Sequence, residues 1–191
     1  MGKGRVEAFS DAVIAIIMTI MVLELRAPLA AGFEALIPLV PRFLSYGLSF
    51  VFLGIYWNSH HHLFQAVQRV NGAVLWTNLH LLFWLSLIPF VTGWAGENAG
   101  AGGPVALYGV VLLLAAVAYF LLVRSLLLLH GKSSQIAIAL GGGRKEKVSV
   151  AMYAVAIPLA LVGPLLAWSL YVIVALVWLV PDRRIERAIT P

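Results

Sequence analysis

Two short stretches of the 191-residue chain gather side chains able to bind an ion, move a proton or anchor a polar network. The first is Arg5, Glu7, Ser10 and Asp11. The second is Asn58, His60, His61 and His62, flanked by Trp57 and Phe64. Imidazoles and carboxylates carry acid–base and metal chemistry, but the spacing argues against a metal centre. Adjacent helical positions point about 100° apart, so three successive histidines diverge. The i, i+4 histidine pair of helical zinc sites is absent. Trp57, His60 and Phe64, at i, i+3 and i+7, share a face instead. That is the spacing of a packing stripe in which one histidine bonds a polar neighbour. Asn78 reads as an interhelical hydrogen bond, and Pro89, eleven residues on, as a kink. Ser10 or Asp11 could equally cap a helix N-terminus. There is no paired-carboxylate site, phosphate-binding loop, nucleophile triad or cysteine. The expectation is a protein that is not an enzyme and takes no metal or cofactor.

The elements that must position these residues are membrane helices. The chain is 62% hydrophobic and 11% charged, against about 25% charged for a soluble domain. No Asp, Glu, Lys or Arg occurs between Phe43 and Gln68, Val70 and Gly96, Asn98 and Val123, or Val148 and Pro181. Each run exceeds the roughly 20 residues a helix needs to cross hydrocarbon, and none alternates as a barrel strand would. The first span is less conspicuous, about 9–25, holding Ser10, Asp11 and Glu24 and ended by Pro28. Acid at Glu7 and Asp11 and the lack of a cleavage site argue against a signal peptide. Further spans are expected at about 41–64, 72–93 and 104–130.

The last uncharged stretch, 34 residues from Val148 to Pro181, could be one tilted helix or a hairpin broken near Gly163-Pro164. Charge parity favours the hairpin, with spans at 148–162 and 164–180. The clusters Arg144, Lys145, Lys147 and Arg183, Arg184, Arg187 then both fall in the cytoplasm, as basic loops do. Lys3, Arg5, Arg69, Arg124 and Lys132 join them, leaving Arg26 and Arg42 outside with Glu24, Glu34 and Glu97. The expected fold is all-α: one domain, 1–191, of six transmembrane helices with both termini cytoplasmic. The loop 131–143 reads as a flexible connector. The net charge of +5 follows from this topology, and no basic run interleaved with aromatics points to nucleic acid.

Arg5-Val-Glu-Ala-Phe9-Ser10-Asp11, opening the first of six helices, resembles the signature of the endosomal and lysosomal potassium channels and their bacterial relatives. Trp57-x-x-His60-x-x-x-Phe64 is similar to that family's second-helix pattern, and Asn78-Leu79 with Pro89 to its third. The resemblance spans all six helices, with the specific motifs in the first three. It implies a homo-oligomer, a tetramer in the bacterial members, conducting K+ through a pore lined by helix one with a tight apolar ring. The chain has no Thr-Val-Gly-Tyr-Gly filter, as the family has none.

Helix geometry allows such a pore. Stepping about 100° per residue, Ala12, Thr19, Ile20 and Leu23 lie within about 60° of Ile16, while Ser10 and Asp11 lie about 120° and 140° away. Ile16, five residues after the motif aspartate, is where the resemblance puts the constriction. Leu23 adds a second apolar ring, and Thr19 a ring of hydroxyls able to replace part of an ion's hydration. Ser10, Asp11, His60 and Asn78 are expected to hold helix one against helices two and three. Trp57 would pack beneath them, and Arg5 would either stabilise Asp11 or line the inner mouth. A histidine bonded to a carboxylate in this network would make it sensitive between about pH 5 and 8. Glu24 is expected to pair with Arg42 or Arg26. The rivals are a proton-coupled transporter, which would want polar groups at mid-membrane, a non-conducting scaffold, and a metalloenzyme using His60–His62. The short chain, its lack of cysteine and its Ala, Leu, Gly and Val bias suggest a bacterial plasma membrane.

Overall fold

The computed structural model describes residues 2–131 and 144–179, and every regular element among them is helical. The elements are α1 (Lys3–Leu23), a 3-10 helix (Phe33–Leu39), α2 (Val40–Gln65), α3 (Gly72–Ser86), α4 (Ile88–Glu97), α5 (Gly102–His130), α6 (Arg144–Val162) and α7 (Pro164–Leu179). Four stretches are long and apolar enough to cross a bilayer: Lys3–Leu23, Phe33–Gln65, Gly72–Glu97 and Gly102–His130. Pro164–Leu179 is a shorter apolar helix. The connector expected at 131–143 lies, beyond Gly131, outside the described residues, as does the basic cluster at 183–187.

Local chemistry explains the boundaries. α1 begins at Lys3, upstream of the expected start at Phe9, and stops at Leu23 with Glu24 as its cap. Pro28 therefore does not end it. Asn71 caps α3 through its side chain, which accepts the Val74 backbone N–H at 3.0 Å. The expected third span is two helices meeting at Leu87, just ahead of Pro89. The proline has no N–H to give and its ring crowds the carbonyl four residues back. α5 ends on Gly131, whose φ of 88° suits a residue without Cβ.

α6 and α7 form a tight hairpin reversing at Gly163-Pro164. The indole N–H of Trp178 donates to Ser149 Oγ at 2.7 Å across its open end. Pro164 opens α7, where its missing N–H costs nothing. Between helices in lipid, contact depends on close packing and polar bonds rather than on hydrophobicity. Gly109 of α5 illustrates the packing. A Cβ there would collide with the Tyr171 ring, whose hydroxyl passes over it to donate to the Val105 carbonyl at 3.1 Å.

The two ends of the bundle differ in charge. At one end Lys3 Nζ donates to the Gln65 carbonyl at 3.2 Å, and the Arg69 guanidinium to the Leu129 carbonyl at 3.2 Å. His130 there accepts from the Gln68 and Arg69 backbone N–H groups at 3.3 and 3.4 Å and donates from Nδ1 to the Leu126 carbonyl. At the other end Arg42 pairs with Glu97 at 2.9 Å.

Candidate functional site

α1 packs against α2, α3 and α4 through Val6, Ser10, Ile14, Ile17 and Met21, all buried. Their spacing of three and four residues makes a single stripe. Within it Ser10 joins a directed chain of hydrogen bonds. Ser10 Oγ lies 2.8 Å from the Val6 carbonyl, which can only accept, so the hydroxyl donates. Ser10 Oγ must then accept from Asn78, whose Nδ2 is 2.9 Å away. That turns Asn78 Oδ1 towards His60, and His60 Nε2, at 2.9 Å, donates to it. One backbone carbonyl thus sets the amide orientation and the imidazole tautomer. Ser10, His60 and Asn78 are all buried, and the His60 ring stacks on Phe64 with centroids 4.4 Å apart.

Asp11 stands outside this set. Its Oδ1 accepts the indole N–H of Trp57 at 3.1 Å, on the exposed side of the α1–α2 contact. Trp57 does not pack beneath the network. It stacks on His61 at 6.0 Å and is 44% exposed. Arg5 is exposed and, among the described residues, makes no ion pair with Asp11, whose carboxylate is held by Trp57 instead. Phe9 is half exposed beside them. The partner of His60 is an amide, not the expected carboxylate. The histidine facing a carboxylate is the next one: His61 Nδ1 lies 3.5 Å from Glu7 Oε1, and its Nε2 is 2.8 Å from Gln65 Nε2. His60 and His61 thus turn to different neighbours. Among the described residues no group of three metal-ligating side chains is assembled.

The other face of α1 is bare. Ala12, Ile16, Thr19, Ile20 and Leu23 are all exposed, Ile16 at 57% and Leu23 at 76%. The Thr19 hydroxyl donates to the Ile16 carbonyl at 2.8 Å. This satisfies its proton and leaves its oxygen able to accept. Beyond this face Glu24 approaches Gly93. Among the described residues Glu24 pairs with neither Arg42 nor Arg26; Arg42 pairs with Glu97 instead, because α4 carries Glu97 to the start of α2.

A second buried polar cluster was not anticipated as a unit. Ser49 Oγ lies 2.7 Å from Thr92 Oγ1 and 2.9 Å from Tyr108 Oη, and Ser45 donates to the Arg42 carbonyl at 3.0 Å. It ties α2, α4 and α5 together. The i, i+4 spacing of Ser45 and Ser49 on an otherwise apolar helix was the available signal.

These features define a class: an all-helical membrane protein whose first helix is bonded to its neighbours on one face and bare on the other. The family model for the endosomal/lysosomal potassium channel TMEM175 matches residues 5–89. A potassium channel of Chryseobacterium sp. (strain P1-3) is 49% identical over 189 residues, 99% of this chain and 98% of the relative. The chain belongs to the TMEM175 family. The human endosomal/lysosomal proton channel TMEM175 is 35% identical over 99 residues, 44% of this chain and 19% of that protein. The fold is shared with the crystal structure of a lysosomal potassium-selective channel TMEM175 homolog from Chamaesiphon minutus. The TM-score is 0.81 at 24% identity, with 98% of each chain covered.

Proposed function

We propose that this protein is a potassium channel of a bacterial plasma membrane, conducting passively through a central pore lined by α1 of each copy in a homo-oligomer, a tetramer. The carrying observation is the bare face of α1: Ala12, Ile16, Thr19, Ile20 and Leu23 are exposed on a helix whose opposite face is bonded into the bundle. A single such face cannot enclose a pore, so several copies must supply it. Ile16 forms the constriction and Leu23 a second apolar ring. Narrowing at these rings dewets the path and closes it. Thr19 offers a ring of oxygen ligands between them. Ser10, His60 and Asn78 hold α1 at a fixed distance from the axis. Asp11 and Trp57 brace its inner end, with Phe9 beside them and Arg5 at the inner mouth. The fold crosses the membrane six times with both termini cytoplasmic. The end carrying Lys3, Arg69 and Arg124 then faces the cytoplasm, in keeping with the preference of basic residues for that side. K+ is the permeating ion, other monovalent cations compete with it, and the reading assigns no enzymatic chemistry and no cofactor.

The test is potassium flux into proteoliposomes of purified protein, with sodium, N-methylglucamine and a proton-sensitive dye as comparisons. Fast downhill K+ entry with slower Na+ and no N-methylglucamine is expected. Flux that requires a proton gradient would replace the channel with a coupled transporter, and no flux at any pH would leave only a scaffold.

A further inference from the structure

On the side of the bundle away from the bare face of α1, a cavity of about 1000 Å³ opens between α2, α5, α6 and α7. Small-molecule sites run up to about this size. Its wall is apolar, with Phe52 of α2, Phe120 of α5 and Val150 of α6 among the lining side chains. Ala151 and Ala154 of α6, both exposed, leave the space open. Along α5 the lining runs from Ala116 to Leu128, about 18 Å at 1.5 Å per residue. That is close to one leaflet of a hydrocarbon core about 30 Å thick. The charged groups gather at one end: Arg124 on α5, with Glu146 and Lys147 in the first turn of α6. Neither Arg124 nor Lys147 forms an ion pair among the described residues. An apolar trough one leaflet deep, closed by two unpaired cations against one carboxylate, has the shape and charge of a complement to an anionic amphiphile. Basic pockets between transmembrane helices on the cytoplasmic side hold such headgroups.

We propose that this groove binds one anionic phospholipid of the inner leaflet, its acyl chain along the α5–α6 wall and its headgroup on Arg124 and Lys147. The assignment of leaflet, and of lipid rather than a second copy as occupant, rests on the proposed topology and on assembly about α1. α1 packs on α2, α3 and α4, so copies assembled around it leave the α5–α6 side facing the bilayer.

Native mass spectrometry of the full-length protein, with phosphatidylglycerol or phosphatidylcholine of identical chains added, tests the site. The wild type is expected to retain phosphatidylglycerol roughly tenfold better, given the attraction that each surface cation adds. The double variant R124Q/K147Q should lose that preference, while R26Q, at the other end of the bundle, keeps it. Ala154→Trp should reduce retention of both lipids by filling the groove. Should that variant not fold, Ala151→Phe fills the same wall. Equal retention of the two lipids by the wild type, or a preference that survives R124Q/K147Q, overturns the proposal. Potassium flux from the same preparation separates the two readings. Flux without lipid preference removes the lipid site alone, and lipid preference without flux removes the channel reading alone.

Discussion

The two faces of α1 are built from similar residues and do opposite things. Ile14 and Ile16 sit two positions apart, yet Ile14 is 1% exposed and Ile16 is 57% exposed. Isoleucine identity therefore says nothing about role. Phase does. The buried face carries the buried bond from Asn78 to Ser10 that ties α1 to α3, and so is fixed in rotation as well as in depth. On the exposed face Thr19 turns its proton back to the Ile16 carbonyl. One face is bonded and packed within the chain, and the other is left exposed.

The sharpest way to break this contrast is to put the same polar side chain on each face. Ile14→Asn buries an amide with no partner and empties a packed site. Lost packing of about 2–5 kcal/mol and an unsatisfied polar group of about 1–3 kcal/mol should together abolish most folded protein. Size-exclusion yield and thermal unfolding in detergent read this directly. A folded, normally stable Ile14→Asn would mean the stripe from Val6 to Met21 is not the packing face.

Next in size is the hydrogen-bond chain. Asn78→Leu leaves the buried His60 N–H without an acceptor and Ser10 Oγ without a donor, a loss of about 2 kcal/mol. Replacing both ends of the inner bond, in Asn78→Leu with His60→Phe, removes the orphaned donor and should recover more than half of it. If the double variant is no more stable than the single one, the cost lies in packing and the bond directions derived above carry no energy.

Ile16→Asn should shift stability by less than about 0.5 kcal/mol, as surface changes do, while raising the Na+ to K+ flux ratio about tenfold, equivalent to about 1.4 kcal/mol. Thr19→Val, which keeps the shape and deletes the oxygen, should lower K+ preference without opening a leak. Unchanged currents in Ile16→Asn would remove the constriction from this position.

Much of this contrast was readable in the sequence, because it depends on helical phase. Counting 100° steps separates Ile16, Thr19 and Leu23 from Ser10, and the polarity of Asn78 and His60 on apolar runs demands partners. What phase cannot supply is the choice among partners. Asp11 bonds Trp57 rather than Arg5, because α2 brings the indole alongside α1 while Arg5 stays exposed. Arg42 takes Glu97 rather than Glu24 for the same kind of reason: α4 continues past the expected end at Gly93 and delivers Glu97 to α2. The break at Leu87 was foreshadowed by Pro89, but the continuation of α4 from Gly93 to Glu97 was not.

The smallest effect lies at the first turns of α1. The expected histidine–carboxylate pair is His61 with Glu7, linking α2 to the first turns of α1 at 3.5 Å. Protonated imidazole beside carboxylate is an ion pair; neutral imidazole is not. The Glu7 carboxylate is the group that faces the imidazole there, and a neutral amide in its place holds it more weakly. Both side chains are partly exposed, 37% and 22%, so solvent screening limits the effect to less than about 1 kcal/mol. Trp57 stacks on the His61 ring and Gln65 bonds its Nε2, so Glu7→Gln is the cleaner variant: it removes the charge and leaves the histidine seated. Unfolding temperature at one fixed pH should fall slightly in Glu7→Gln and by more in His60→Gln, which loses the buried bond to Asn78. A loss in Glu7→Gln as large as that in His60→Gln would move the anchoring of α1 from its buried stripe to its exposed first turns.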